Sequence, residues 1–376
     1  MSAHPGVELK AIELREVALP LVRPFRTSFG EETRKRAILV RAIGDDVEGW
    51  GECVASEEPR YSEEWLEGAW MALERWMAPA AVQEVDRPDQ VASSLGWIRG
   101  HRMAKAAIEA AVTDAWLHAA GISMSTHLGG VRDRVSCGVS VGIAPTVEAM
   151  LEEIRGYLSK GYRRVKLKIE PGRDLAVVWT IREALPDTPL SVDANGAYTP
   201  ADTPLFEALD ELGLMMIEQP LDVEDLIDHA ALQARLRTPI CLDESIRSSR
   251  DAAEAIRLRA CRVINIKPGR VGGILEAKRV HDVAFGANVP VWIGGMLETG
   301  VGRAANLALA SMPGVTLPGD TSASDRYFRE DLTEPFVLSP DGTMPVPAAP
   351  GIGVEPLPEH LRRCTVRTSH ISARST

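Results

Sequence analysis

Val165-Lys-Leu-Lys-Ile169, Leu190-Ser-Val-Asp193, Met215-Met-Ile-Glu218, Pro239-Ile-Cys-Leu-Asp243 and Val263-Ile-Asn-Ile-Lys267 are five short apolar runs, each carrying or closed by a charged residue. Lys168, Asp193, Glu218, Asp243 and Lys267 follow one another at intervals of 25, 25, 25 and 24 residues. A strand, a helix and two loops take about this length, so the spacing predicts a repeated β/α unit. Successive strand ends in a parallel barrel converge on one face, the face where such barrels keep their chemistry.

Further candidate strands extend the repeat on both sides: Ser136–Ser140 before it, Val291–Gly294 and Thr316–Leu317 after it. Helical patterns fit between, as in Thr146–Leu158 and Ser248–Arg257. Upstream the texture differs. Residues 7–54 alternate apolar and polar, as in Ile38-Leu-Val-Arg-Ala42, with turns at Gly30, Gly44 and Gly49, which predicts a strand meander. Ser62–Met77 and Met103–Ala120 have helical spacing, the second ending before Gly121. The expected organisation is an α+β capping domain over 1–130, a barrel over 131–328, and a proline- and glycine-rich segment over 329–376 that returns to the cap.

Composition sets the outer limits. A net charge of −11 over 376 residues argues against nucleic acid or an anionic membrane as the main partner. It leaves anionic small molecules open, because a local cluster of cations outweighs a distant negative surface. Five scattered cysteines without a C-x-x-C pair suit reduced thiols in a cytoplasmic protein. The first ten residues lack a basic stretch followed by an apolar one, and no apolar run reaches the roughly 18 residues of a membrane span.

Side chains two apart on a strand share a face. Lys166 and Lys168 therefore point into the barrel together, as do Asp193 with Asn195, Cys241 with Asp243, and Asn265 with Lys267. A lone carboxylate at a strand end usually caps a helix or pairs with a base. Three of them on consecutive strands, flanked by lysines, imply a cation. All-oxygen ligands suit Mg²⁺ or Mn²⁺ better than zinc, and none of the eight histidines lies in a strand-end motif. Lys168 and Lys267 lie on strands either side of the carboxylate strands. A carboxylate substrate held there would present its α-carbon between two amines, and loss of the α-proton would give an enediolate. A lysine acts as base only with a depressed pKa, which nearby positive charge supplies. Glu244 is expected to pair with a lysine, and Glu298 and Arg303 fit structural and site roles equally.

Lys-Leu-Lys (166–168), Asp-Ala-Asn (193–195), Ile-Glu-Gln-Pro (217–220), Leu-Asp-Glu-Ser (242–245), Asn-Ile-Lys-Pro (265–268) and Gly-Gly-Met-Leu-Glu-Thr-Gly (294–300) together resemble the enolase superfamily. More narrowly they resemble its N-acylamino acid racemase and o-succinylbenzoate synthase branch. The likeness extends to Pro24-Phe-Arg-Thr-Ser-Phe-Gly30 and Pro318-Gly-Asp-Thr-Ser-Ala-Ser324.

The resemblance implies an α/β fold, a modified TIM barrel of (β/α)₇β type under an α+β cap. It implies Asp193, Glu218 and Asp243 as ligands of Mg²⁺, with Mn²⁺ or Co²⁺ as substitutes. Lys168 and Lys267 become the acid/base pair and Lys166 their electrostatic support. Phe25 to Phe29 would lie in a mobile loop that closes over the substrate. Ser140, Gly295, Met296 and Leu297 would line the acyl pocket, with Asn195 and Asp320 also at the substrate. A homo-oligomer, often an octamer, is implied as well.

Dipeptide epimerases of the superfamily carry Asp-x-Asp on the eighth strand to hold a free ammonium. Here the run is Asp320-Thr-Ser322, which points to a masked, N-acylated amine. Racemisation of N-acylamino acids is thus the expected reaction. Syn dehydration to o-succinylbenzoate, in menaquinone synthesis, would use the same residues, and neighbouring genes would separate the two. A Schiff-base aldolase using Lys267 does not need three carboxylates. A binding protein on this fold has no reason to keep two bases.

Overall fold

The computed structural model describes residues 6–27 and 30–373; residues 1–5, at the start of the stretch read for a leader, Ser28 and Phe29 of the expected closing loop, and residues 374–376 lie outside the described residues. The cap begins with a long antiparallel hairpin, β1 (Ala11–Thr27) and β2 (Gly30–Ile43), followed by β3 (Glu48–Cys53). Period-two alternation gives this sheet two buried faces. Ile12, Leu14, Ile38, Val40 and Ala42 pack under the cap helices, while Val17, Leu19, Ala37 and Leu39 join the barrel core.

The second expected cap helix is α1 (Arg102–Ala120), and it ends at Gly121 as read. The first begins later and runs further than Ser62–Met77: it spans Leu66 to Glu84, with a π turn over Leu73–Met77. Pro79 explains the wider turn, because it lacks an N–H and would crowd the carbonyl four residues back.

With an extra helical turn at Pro268–Val271 and a 3-10 turn at Pro200–Asp202, the barrel alternates strand and helix across seven strands. These are β4 (Val139–Val141), α2 (Val147–Ser159), β5 (Val165–Lys168), α3 (Leu175–Ala184), β6 (Leu190–Asp193), α4 (Thr203–Asp210), β7 (Ile217–Glu218), α5 (Leu226–Gln233), β8 (Ile240–Leu242), α6 (Ser249–Leu258), β9 (Val263–Ile266), α7 (Ile274–Gly286) and β10 (Val291–Ile293). All seven pair in parallel in chain order, β4 through β10. Thr146 and Ser248 cap α2 and α6 with their hydroxyls.

Two strand expectations need correction. Ser136–Ser140 is split: Arg134–Ser136 forms an antiparallel ribbon with Thr343–Pro345, and only Val139–Val141 enters the barrel. Thr316–Leu317 is no regular strand. Val315 bridges Val291 and Gly319 bridges Cys137, so the segment closes the barrel between β10 and the chain ahead of β4. Pro318 interrupts the ladder there, having no amide to donate.

After α8 (Gly300–Ala310) the chain crosses back to the cap, where β11 (Thr365–Ser372) pairs antiparallel with β1. Two buried carboxylates tie the cap to the barrel. Glu52, at the end of β3, accepts from the Thr299 amide at 3.0 Å, the Thr299 hydroxyl at 2.7 Å and the Gly302 amide at 2.9 Å, at the start of α8. Glu109 of α1 accepts from the amides of Ile274 and Leu275 at the start of α7. Both sit where a helix terminus favours negative charge. Among the described residues no helix is long and apolar enough to cross a membrane.

Candidate active site

Strand register, set by apolar residues on the outer face, carries every predicted charge to one mouth of the barrel. Lys168, Asp193 and Glu218 are register partners across β5, β6 and β7. Asp243 and Lys267 follow β8 and β9 directly. Asp193, Glu218 and Asp243 are at most 1% exposed, so none is left to water.

Each of these carboxylates faces an amine. Lys168 Nζ lies 2.7 Å from Asp193 and donates to Asn195 Oδ1 at 2.8 Å. Lys166 Nζ lies 2.9 Å from Glu218, 3.1 Å from Asp193 and 2.7 Å from Asp320. Lys267 Nζ lies 2.7 Å from Asp243, whose other oxygen pairs with Arg270. Burial alone would raise Asp193, but Lys168 and Lys166 outweigh it and hold its carboxyl well below the usual range. Burial opposes the Lys267 ammonium, yet Tyr61, Glu244 and Glu218 hold its pKa above the ordinary lysine value. The carboxylates facing Lys267 outweigh the positive charge around it.

Neighbouring side chains hold these groups in place. Gln219, fully buried, accepts through Oε1 from the amides of Asp243 and Ser245. Asn265 Nδ2 donates to Glu218 Oε1 at 2.9 Å. Gly294 leaves room for that asparagine, since a Cβ there would lie 2.3 Å from Asn265 Oδ1. Asn195 Nδ2 donates to Glu244 Oε1 at 2.9 Å, so Glu244 hydrogen-bonds an amide within the site and not a lysine as expected. Asn195, Gln219 and Leu297, all beside functional strand ends, have positive φ of 46°, 38° and 58°. Backbone strain of this kind concentrates at sites whose surroundings over-determine the conformation.

Phe25, Ser140, Asn195, Gly295, Met296, Leu297 and Asp320 all line one cavity of about 410 Å³, together with Lys166, Lys168 and Lys267. Phe25 to Thr27 belong to β1 and pair with Gly30 to Glu32, so the described part of the expected loop is strand. Ser140 Oγ is buried without a hydrogen-bond partner. Asp320 gives one oxygen to Arg164 at 2.8 Å and the other to Lys166. Arg303 is structural: its guanidinium donates to the carbonyls of Ser322 and Glu298.

The sequence missed Tyr61, Arg164, Arg270 and Trp292. Arg270 alone left a local signal, three residues past Lys267 in Lys-Pro-Gly-Arg. Arg164 lies two residues before Lys166 and Trp292 within a predicted strand, but only tertiary packing shows what they touch, and Tyr61 comes from the cap.

Among the described residues, no group of three His, Cys, Asp or Glu side chains is arranged to hold a metal ion as it stands, because the carboxylates are turned to the lysines. The donor chemistry nonetheless fits a hard divalent ion: three buried carboxylates on adjacent strands, with oxygens only. The present partners of Asp193 and Glu218 include flexible amines, whereas Asp243 is shared between the Lys267 amine and the buried Arg270 guanidinium.

The Enolase C-terminal domain-like family matches residues 149–360, over half of the chain. An N-succinylamino acid racemase of Amycolatopsis sp is 54% identical over 361 residues, covering 96% of this chain and 98% of that protein. An o-succinylbenzoate synthase of Geobacillus stearothermophilus is 48% identical over 352 residues, covering 93% and 94%. The crystal structure of an enolase superfamily member from Listeria innocua superposes with a TM-score of 0.92 at 39% identity, covering 98% of this chain and 100% of that one. The chain belongs to the enolase superfamily, in the family that holds N-succinylamino acid racemases and o-succinylbenzoate synthases.

Proposed function

We propose that this chain is a divalent-cation-dependent racemase of N-acylamino acids, N-succinylamino acids among them, working by removal and return of the α-proton through an enediolate. The observation that carries this reading is the position of Lys168 and Lys267. They flank the three strands that bear Asp193, Glu218 and Asp243, and both face the same cavity.

Asp193, Glu218 and Asp243 would hold the ion, Mg²⁺ in the first instance, with Mn²⁺ or Co²⁺ in its place. Bound there, it would lend charge to a substrate carboxylate and to the enediolate formed from it. With Asp193 and Asp243 turned to the ion, the amines of Lys168 and Lys267 would be released from the ion pairs that now hold them. One lysine then takes the α-proton from one face, and the other delivers a proton to the opposite face. Lys166, buried between the carboxylates and Asp320, keeps a positive charge near the developing oxyanion. Phe25, Met296 and Leu297 offer apolar surface for the side chain or acyl group. Ser140 Oγ is a free donor for an acyl carbonyl.

Asp320 supports a masked amine. Both its oxygens already serve Arg164 and Lys166, which leaves no carboxylate at the eighth position for a free ammonium. The cavity's lysines favour an anionic substrate, and assembly into a homo-oligomer, with an octamer as one form, belongs to the same reading.

Proton NMR of N-succinyl- and N-acetyl-L-amino acids in D₂O, with protein and Mg²⁺, tests the reading. Loss of the α-proton signal with appearance of the D-isomer is expected. A second reading, syn dehydration to o-succinylbenzoate with Lys168 as base and acid, draws on the 48% identity to a synthase of that name. Dehydration of its precursor without exchange in any N-acyl substrate would favour that alternative.

A further inference from the structure

Lys166 is 2% exposed, and its ammonium is shared among three carboxylates, Asp320 at 2.7 Å, Glu218 at 2.9 Å and Asp193 at 3.1 Å. Two of the three are the residues read above as metal ligands. An ion on Asp193 and Glu218 would leave the ammonium with a single anion, and burial keeps it from water. It would also repel a second cation at this distance.

We propose that Asp320 is a positioning residue: it keeps hold of the Lys166 ammonium when Asp193 and Glu218 give it up to take a divalent cation. The inference rests on the ligand reading of Asp193 and Glu218.

The anchor is rigid and built from behind. The Asp320 amide donates to the Ile293 carbonyl at 3.0 Å, which fixes the segment against β10. Asp320 Oδ1 accepts from Arg164 Nη2 at 2.8 Å, and that same nitrogen donates to the Pro318 carbonyl. Arg164 is 1% exposed, and its Nε and Nη1 have no hydrogen-bond partner, so Asp320 is its counter-charge. The guanidinium occupies a slot opened by Gly138, where a Cβ would lie 2.8 Å from Cζ. The Trp292 ring flanks both cations, with Arg164 Cζ 4.8 Å and Lys166 Nζ 5.0 Å from its centroid. Arg164 thus keeps the Asp320 carboxylate in place, and Asp320 offers Lys166 its shortest contact with any of the three.

The test is Mg²⁺ binding to the full-length protein, measured by calorimetry and by the Mg²⁺-induced shift in Tm. Wild type, Asp320→Asn, Lys166→Met and the double variant are compared. Asp320→Asn should weaken Mg²⁺ by about 10- to 100-fold, the range commanded by groups that orient metal ligands. In the Lys166→Met background the same change should cost no more than about twofold, the limit for sites that do not couple.

Wild-type affinity in Asp320→Asn would overturn the proposal. So would an undiminished loss in the Lys166→Met background, which would make Asp320 a nearby negative charge and nothing more. A crystal structure of the Mg²⁺-loaded wild type tests the point without substitution. Lys166 Nζ should remain within about 3.2 Å of Asp320, and its absence from there would overturn the role. Failure of the wild type to bind Mg²⁺, Mn²⁺ or Co²⁺ at all is a separate outcome, which would remove the ligand reading itself and the proposal with it.

Discussion

Tyr61 of the cap and Lys267 of the barrel meet across the cleft. Lys267 Nζ donates to the Tyr61 hydroxyl at 3.2 Å and lies 4.8 Å from the centre of its ring. The contact joins residues 206 apart in sequence and places a cap side chain on one of the two proposed bases. Lys168 has no such partner among its hydrogen bonds, which go to Asp193 and Asn195.

This asymmetry predicts an asymmetric defect. Tyr61→Phe keeps the ring and removes the hydroxyl, so the Lys267 ammonium loses orientation without losing its aromatic face. Exchange of the α-proton served by Lys267 should fall about tenfold, the usual scale for one hydrogen bond to a charged group. Exchange served by Lys168 should change little. Deuterium exchange into separate L- and D-N-acylamino acids measures both, with Lys267→Ala identifying which enantiomer belongs to which lysine. An equal loss for the two enantiomers would assign Tyr61 to general packing.

Gly294 and Asn265 give a second prediction. Gly294→Ala would put a methyl group 2.3 Å from Asn265 Oδ1 and force the asparagine off Glu218. The fold should survive, since the change sits at a strand end and the asparagine can rotate. Mg²⁺ affinity should drop about 10- to 100-fold, because Glu218 loses the group that orients it. Circular dichroism together with a Mg²⁺ titration checks both parts. Unchanged affinity in a folded variant would mean that Asn265 does not set the Glu218 geometry.

These two contacts also show what the chain made legible. Lys168, Asp193, Glu218, Asp243 and Lys267 could be read because a β/α unit has a nearly fixed length and a strand end has a fixed direction, so local periodicity alone brings them together. Asn265 shares the strand face of Lys267 and was legible for the same reason. Tyr61 and Arg164 were not, since their partners, Lys267 and Asp320, lie in segments packed together only by tertiary structure. Thr316–Leu317 misled because apolar composition predicts strand, while Pro318 withholds the amide that a ladder needs. The reach of Lys166 to Asp320 was equally hidden: sequence fixes which face a lysine takes, not which of several carboxylates it chooses.

A third prediction concerns the substrate's amine. Asp320 is neutralised by Arg164 and Lys166, so a free α-ammonium in the cavity would face lysines without a carboxylate of its own. An unpaired buried charge costs several kcal/mol by order of magnitude. Free amino acids and dipeptides should therefore exchange their α-protons at least about 100-fold more slowly than N-acetyl or N-succinyl derivatives. Side-by-side NMR rates in D₂O decide the matter, and comparable kcat/KM for free and acylated amines would refute the argument from Asp320.

The last prediction concerns stability, through Glu52 and Glu109 at the cap–barrel interface. Burial pushes both carboxyls up to about 7, although amides of the barrel helices pull the other way. A raised carboxyl binds its proton more tightly in the folded than in the unfolded protein. Its contribution is therefore fully present below the ordinary value of 4.5 and is lost as pH rises through about 7. Each such group accounts for about 3 kcal/mol at the most, by the conversion of 1.36 kcal/mol per pKa unit.

Glutamine mimics the protonated form at every pH. Glu52→Gln should accordingly compare better with wild type at pH 8 than at pH 5, as measured by urea unfolding. The gap between the two proteins should change mainly between pH 4.5 and 7. A constant gap across that range would mean that Glu52 titrates normally in the folded protein, and that its hydrogen bonds at the start of α8 are strong enough to hold the ionised form despite burial.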